Sequence, residues 1–370
     1  MYNVPMIKAE ILELVKGLVS IESTADKPEN LYKAVDFIGS ILNGFPQIKV
    51  ERFENNGKPS LLAYCGPKRP ARFKVLMNGH VDVVPGNLQD FVPFVKDGKL
   101  YGRGSGDMKT AALMMTLVFC ELAPKINYTL GLQIVADEEI GGFNGTKYQI
   151  DQGVKSDFVI IGEGSAACTL CPEARGICWA DVRFSGRPAH GAYPWRGDNA
   201  ALKAVEFVHE ITKIYPVPKT EKWATTVNVA ALSTANSANN RVPDDAKVSL
   251  DVRYLSGDSN FTSRQTAQGF LENLSPGAHV DITMFEPAYA IDRQNPTLQK
   301  LITAIEQDAG QQIEFVRRYG SSDARFYGAS GTSAVTFGLP DHNIHADGEF
   351  IEVEWISRYR KVLEQFLLAV

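Results

Sequence analysis

The sequence predicts an α/β protein, a mixed sheet flanked by helices, interrupted by an inserted ferredoxin-like α+β domain. Three observations predict it. Strand-length apolar runs alternate with helical periodicity up to about Glu173, the order β-α-β-β-α-β follows, and helix–strand alternation returns after Pro287. The 370 residues fit two or three domains at roughly 150 residues each. The expected division is 1–174 and 287–370 for the two parts of the main domain and 175–286 for the insertion.

Ile7, Ile11, Leu12, Val15, Leu18 and Val19 recur at helical spacing over residues 7–19, as do Leu31, Ala34, Val35, Ile38, Ile41 and Leu42 over 30–42. Apolar runs at 60–64, 73–77, 130–136 and 158–161 read as strands, with a helix over 108–122 among them. Such alternation argues a sheet covered on both faces. The insertion reads as strand 177–184, helix 199–214, strands 225–232 and 247–254, helix 263–274 and strand 279–285. That split pattern can close its own small sheet. A helix at 297–307, a strand at 334–337 and a helix at 353–368 complete the main domain.

Composition narrows the function. With 44% hydrophobic and 22% charged residues the chain is globular, which excludes disordered, collagenous and coiled-coil classes. Lys plus Arg number 38 against 43 Asp plus Glu, so no basic footprint points to nucleic acid or anionic lipid. A small molecule or short peptide is the expected partner. No apolar stretch has the length of a membrane span, and residues 1–17 lack a leader pattern, so the terminus is expected to be unprocessed. Cys65, Cys120, Cys168, Cys171 and Cys178 are few and irregularly spaced, which fits reduced thiols and a cytoplasmic location.

The chemistry-bearing residues sit behind predicted strands. His80 and Asp82 are two apart and share one face of an extended backbone. That suits a metal ligand and its orienting carboxylate, with Asp82 as partner or as ligand itself; alone, the pair also reads as a capped strand end. In Gly102-Arg103-Gly104-Ser105-Gly106-Asp107-Met108-Lys109 the spacing fails both the phosphate-loop and the dinucleotide patterns. Asp107 is left as a helix cap or as a carboxylate among glycines that let a metal centre approach the backbone. The acids Asp137-Glu138-Glu139 follow one strand, Glu163 another, and His345 a third. In an α/β sheet the carboxyl ends of strands line the ligand crevice. Two His and three carboxylates suit zinc or a similar divalent ion. Two such ions balance Asp107, Glu139, Glu163 and a bridging hydroxide, whereas the bare acids would repel one another.

Taken in order, Gly79-His80-Val81-Asp82, Gly102-Arg103-Gly104 to Asp107-Met108-Lys109, Glu138-Glu139, Glu163, Gly186-Arg187-Pro188-Ala189-His190-Gly191-Ala192 and His345 span nearly the whole chain. Together they resemble the zinc metallopeptidase family of acetylornithine deacetylase, succinyl-diaminopimelate desuccinylase and the glutamate carboxypeptidases. The resemblance implies a di-zinc catalytic domain with an inserted ferredoxin-like lid and dimerisation domain. It implies that Asp107 bridges two zinc ions per subunit (cobalt or manganese being alternatives). His80 and Glu163 would complete one ion, Glu139 and His345 the other. Glu138 becomes the general base, Asp82 the partner of His80, and His190 the oxyanion donor, often supplied across a homodimer. The peptide Asp107-Met108 is expected to be cis. Asn240, Arg253 and the loop 320–325, with Ser321 and Ser322, become candidates for gripping the substrate carboxylate.

The implied activity is amide hydrolysis of N-acyl-L-amino acids, a deacylase of amino-acid metabolism. A dipeptidase or carboxypeptidase with the same centre is one alternative, and a non-catalytic metal-bound amino-acid or peptide binder another. The chain departs from many relatives in having Asn87 to Phe94 where they carry Trp and Asp-Pro-Phe, and Thr110 where Gly is usual; neither change removes a ligand. Cys168 and Cys171 have redox spacing but read as packing thiols, and no GxSxG elbow marks a serine hydrolase.

Overall fold

The computed structural model describes residues 9–164, 167–317 and 322–370. Ile7, at the start of the first expected helix, and Ser321 lie outside them. The described residues form two compact units. One takes the chain up to Glu173 and again from Ala290, the other Ala174–Tyr289.

The first unit is built on a six-stranded sheet in the order Ile48–Asn55, Lys58–Cys65, Leu130–Val135, Phe73–His80, Ser156–Ile161, Ser333–Thr336. The last four strands run parallel, and the first two are antiparallel additions. Leu130–Val135 is buried at every position, as expected of a strand covered on both faces. Helix Lys109–Leu122 is buried almost all round and packs against this strand and Phe73–His80. Helices Pro296–Ala309 and Val353–Ala369 join the same core.

Edge strand Ile48–Asn55 is absent from the sequence reading. Four of its eight residues, Lys49, Glu51, Arg52 and Glu54, are charged, as suits an edge strand with a single pairing neighbour. A second unexpected hairpin joins Phe94–Lys96 to Lys99–Tyr101, and Phe350–Glu352 adds a third strand to it.

In the second unit all pairings are antiparallel, in the order Thr226–Ser233, Asp245–Tyr254, Gly176–Ser185, His279–Glu286. Helices Ala200–Ile214 and Arg264–Leu274 complete a βαββαβ arrangement. Burial alternates at every residue of Asp245–Tyr254, so Val248, Leu250 and Val252 face Phe207, Ile211 and Leu271 in one core. Asn199 and Ser263 cap the two helices through their side chains. All five cysteines are free, and no helix of the described residues is long and apolar enough to cross a membrane.

Candidate metal centre

The parallel strands of the first unit bring their carboxyl ends to one edge, where the expected residues are found. His80 ends strand Phe73–His80 and is buried. Its Nδ1 lies 3.0 Å from the Asp82 carbonyl oxygen and 3.5 Å from the Asp82 carboxylate. A carbonyl only accepts, so in the neutral ring Nδ1 carries the proton and Nε2 is turned outward as a ligand atom. Nε2 meets Asp107 Oδ1 at 3.1 Å. The other Asp107 oxygen faces His345 Nε2 at 3.4 Å, and His345 Nε2 also meets Glu139 Oε2 at 3.1 Å. One carboxylate therefore presents a different oxygen to each of two imidazoles.

Asp107 stands two residues before helix Lys109–Leu122, and the Asp107-Met108 peptide is cis, as the resemblance implied. The loop leading to it needs glycine at Gly104, whose φ is +82° and where a Cβ would strike Val83. Glu139 is mostly buried and held by its own N–H, which donates to Asp82 Oδ2 at 3.0 Å. Asp82 thus stands behind His80 with its carbonyl and one carboxylate oxygen, and holds Glu139 with the other.

The electrostatics record a centre short of positive charge. Burial raises the Glu138 carboxyl well above the usual range, and the nearby charge of Glu163, itself buried, adds to it. Burial opposes the His80 imidazolium, but hydrogen bonds with Asp107 and Asp82 outweigh it and hold the ring's pKa well above its ordinary value. Hydrogen bonds with Asp107 and Glu139 push His345 up to about 10. Burial works to raise Asp107, yet the two imidazoles keep it below the usual carboxylate range.

The ligand atoms of His80, Asp107 and Glu139 lie within 4.8 Å of one another. With His345 on the far side of Asp107, this oxygen and nitrogen donor set fits divalent cations.

Several supporting residues carry no local sequence signal. Glu349 is buried and pairs with buried Arg103 at 2.9 Å. Its carboxylate also accepts the backbone N–H groups of Gly104, Gly106 and Asp107. Lys109 is buried beside these groups, donates to the Ile21 carbonyl, and is pushed down to about 7 by burial. Behind the strand ends, Asn78, Gln133, Thr146 and Tyr327 share a buried hydrogen-bond network, to which Thr146 ties Asp323.

The remaining candidates are placed as follows. His190 is exposed in the second unit, where the Ala192 N–H donates to its Nδ1 at 3.1 Å and leaves Nε2–H as a donor. Asn240, also exposed, lies beside it, its carbonyl accepting the Gly191 N–H at 2.6 Å. Arg253 pairs with Asp251 through Nε at 2.8 Å and Nη2 at 3.3 Å. Ser322, in the first unit, is buried, and its hydroxyl accepts the Ala324 N–H.

A cluster of imidazoles and carboxylates at the carboxyl ends of parallel strands marks a candidate metal centre. The chain belongs to peptidase family M20/M25/M40, whose profile matches residues 76–369. It is similar to a succinyl-diaminopimelate desuccinylase of Beijerinckia indica, with 30% identity over 342 residues, covering 85% of this chain and 88% of that one. Among solved structures it shares its fold with aminopeptidase PepT of Bacillus cereus, at TM-score 0.74 and 18% identity over 98% of each chain. It shares it also with a dinuclear metal-binding peptidase of Bacillus subtilis, at TM-score 0.70 and 12% identity over 97% of each. Membership in the family makes the chain a metallo-hydrolase, and the binding-protein alternative falls away.

Proposed function

We propose that the chain is a di-zinc amidohydrolase that cleaves the amide bond of N-acyl-L-amino acids. The observation that carries the reading is Asp107 with one oxygen toward His80 and the other toward His345. The substrate class is drawn from the desuccinylase relative, whose name denotes cleavage of an N-succinyl amino acid.

In this reading His80, Asp107 and Glu163 hold one ion, and Asp107, Glu139 and His345 the other. When bound, two divalent ions supply Lewis-acid polarisation of the carbonyl and a water acidified toward neutral pH. Glu138 takes the proton of the attacking water and returns it to the leaving nitrogen, a step amides require because an unprotonated amine leaves poorly. His190 donates Nε2–H to the developing oxyanion, a contact of the kind worth about 3–4 kcal/mol. Asp82 fixes the tautomer of His80. Asn240, Arg253, Ser321 and Ser322 are the proposed carboxylate grip, and residues 175–286 act as a lid and homodimer interface.

The test is amine release from N-acetyl, N-succinyl and N-formyl amino acids by zinc-loaded protein, beside a chelated control. Chelator-sensitive turnover of an N-acyl amino acid is expected. A dipeptide or carboxypeptidase substrate cleaved much faster would move the assignment to a peptidase on the same centre, in keeping with the peptidase family to which the chain belongs.

A further inference from the structure

We propose that Glu349 is a positioning residue for the metal centre, a clamp that sets the Asp107 carboxylate between the two imidazoles. The inference rests on the metal-centre reading above. Glu349 stands four residues after His345 and more than two hundred after the loop it holds. Its Oε1 accepts the N–H groups of Gly106 at 2.9 Å and Asp107 at 3.1 Å; its Oε2 accepts the Gly104 N–H at 3.1 Å and Arg103 Nη1 at 2.9 Å. Four donors converge on one buried carboxylate, and one is the backbone of Asp107 itself. The Glu349 carbonyl meanwhile accepts the Gly102 N–H at 3.0 Å, and Phe350 pairs with Tyr101 in the adjoining strand.

The segment bearing His345 and the loop bearing Asp107 are therefore fastened at Glu349, alongside the strand pairing that follows it. Of the N–H groups of this turn, those of Gly104, Gly106 and Asp107 go to the Glu349 carboxylate, while those of Arg103 and Ser105 go to the Asp90 and Gly102 carbonyls. Arg103 makes the burial of that charge tolerable, since an unpaired buried carboxylate would be strongly unfavourable. Groups that support a metal ligand in this way typically cost 10–100-fold in metal affinity or activity when changed.

Glu349→Gln tests the clamp. The amide keeps the shape but directs N–H atoms at two of the four donors. Glu349→Asp, which keeps the charge but is one methylene too short to reach all four, serves as the second variant should the first fail to fold. Cobalt is loaded into wild type and variants, and the visible absorption band, the chelator-competition affinity, kcat and KM are read.

The expected result is a shifted cobalt band, metal affinity lowered 10–100-fold, and kcat lowered at saturating metal with KM within threefold of wild type. An unchanged cobalt band and affinity in a folded variant, with only the melting temperature lowered, would overturn the proposal and make Glu349 a stabilising residue alone. A wild-type chain that takes up no cobalt would instead overturn the metal-centre reading.

Discussion

Asp323→Asn probes the buried network behind the strand ends. Asp323 is fully buried, and Thr146 Oγ1 donates to its Oδ2 at 2.5 Å. Burial pushes its carboxyl up to about 7, against the Arg325 charge and the Thr146 hydrogen bond, with Asp137 adding and His80 opposing. In the unfolded chain an Asp titrates near 3.9. The folded state therefore keeps a proton that the unfolded state gives up. The stabilisation is whole below about pH 4 and is lost as pH rises through 7. Between pH 5 and pH 8 linkage makes the loss about 3 kcal/mol. Asparagine still offers an acceptor to Thr146 and has no proton to lose. Urea unfolding of chelated protein at pH 5, 6, 7 and 8 should show the variant gaining on wild type by about that amount across the series. Parallel profiles, with the difference constant to within about 1 kcal/mol, would refute the reasoning and mean that Asp323 is not held protonated by its surroundings.

The other predictions concern the centre and its loops. Glu138→Gln should lower kcat by about 10²–10⁴ while bound metal, by elemental analysis, is unchanged; retained activity would remove Glu138 as the base. In chelated protein at pH 8 His345, at about 10, carries its extra proton, and His80 is also held above its ordinary value, so titration with zinc in unbuffered solution should release at least about one proton per chain, and a flat pH trace would contradict the ligand assignment. Gly142→Ala should destabilise by at least about 2 kcal/mol in a denaturant midpoint, because φ is +65° and the added methyl would collide with Asp323; a neutral result would mean that the turn moves freely.

The expected fold was carried by periodicity, and what periodicity missed was polar. Strands 73–77, 130–136 and 158–161 were legible because central parallel strands are apolar at nearly every position. Ile48–Asn55 was not, since an edge strand carries charge. Yet both overlooked hairpins have a local marker. Asn56-Gly57 and Asp97-Gly98 each take two positive φ values, 49° and 70° in the first and 50° and 74° in the second. That is the turn for which Asn-Gly and Asp-Gly are selected. A reading keyed to turn chemistry as well as to apolar runs would have found them.

The candidate ligands were legible for a related reason: all but His345, which lies nine residues past its strand, stand within a few residues of a strand end or a helix start, so topology sends them to one edge. Their supports were not, because support comes from across the chain. Nothing near Asp107 in sequence announces Glu349, and nothing near Glu139 announces that Asp82 will hold its N–H as well as the ring of His80. The two supports share a logic. Like charges crowd this edge, and an acid that faced the imidazoles without a role there would only add repulsion. Asp82 and Glu349 instead direct carboxylate oxygens at backbone N–H groups belonging to Glu139 and Asp107. Their negative charge is satisfied by dipoles and, for Glu349, by Arg103. The acids thus divide into those that meet the imidazoles at Nε2 and those that fix the backbone of the first set, Asp82 also standing behind the His80 ring at Nδ1. A substitution in the second set should disturb the centre without removing a single ligand atom.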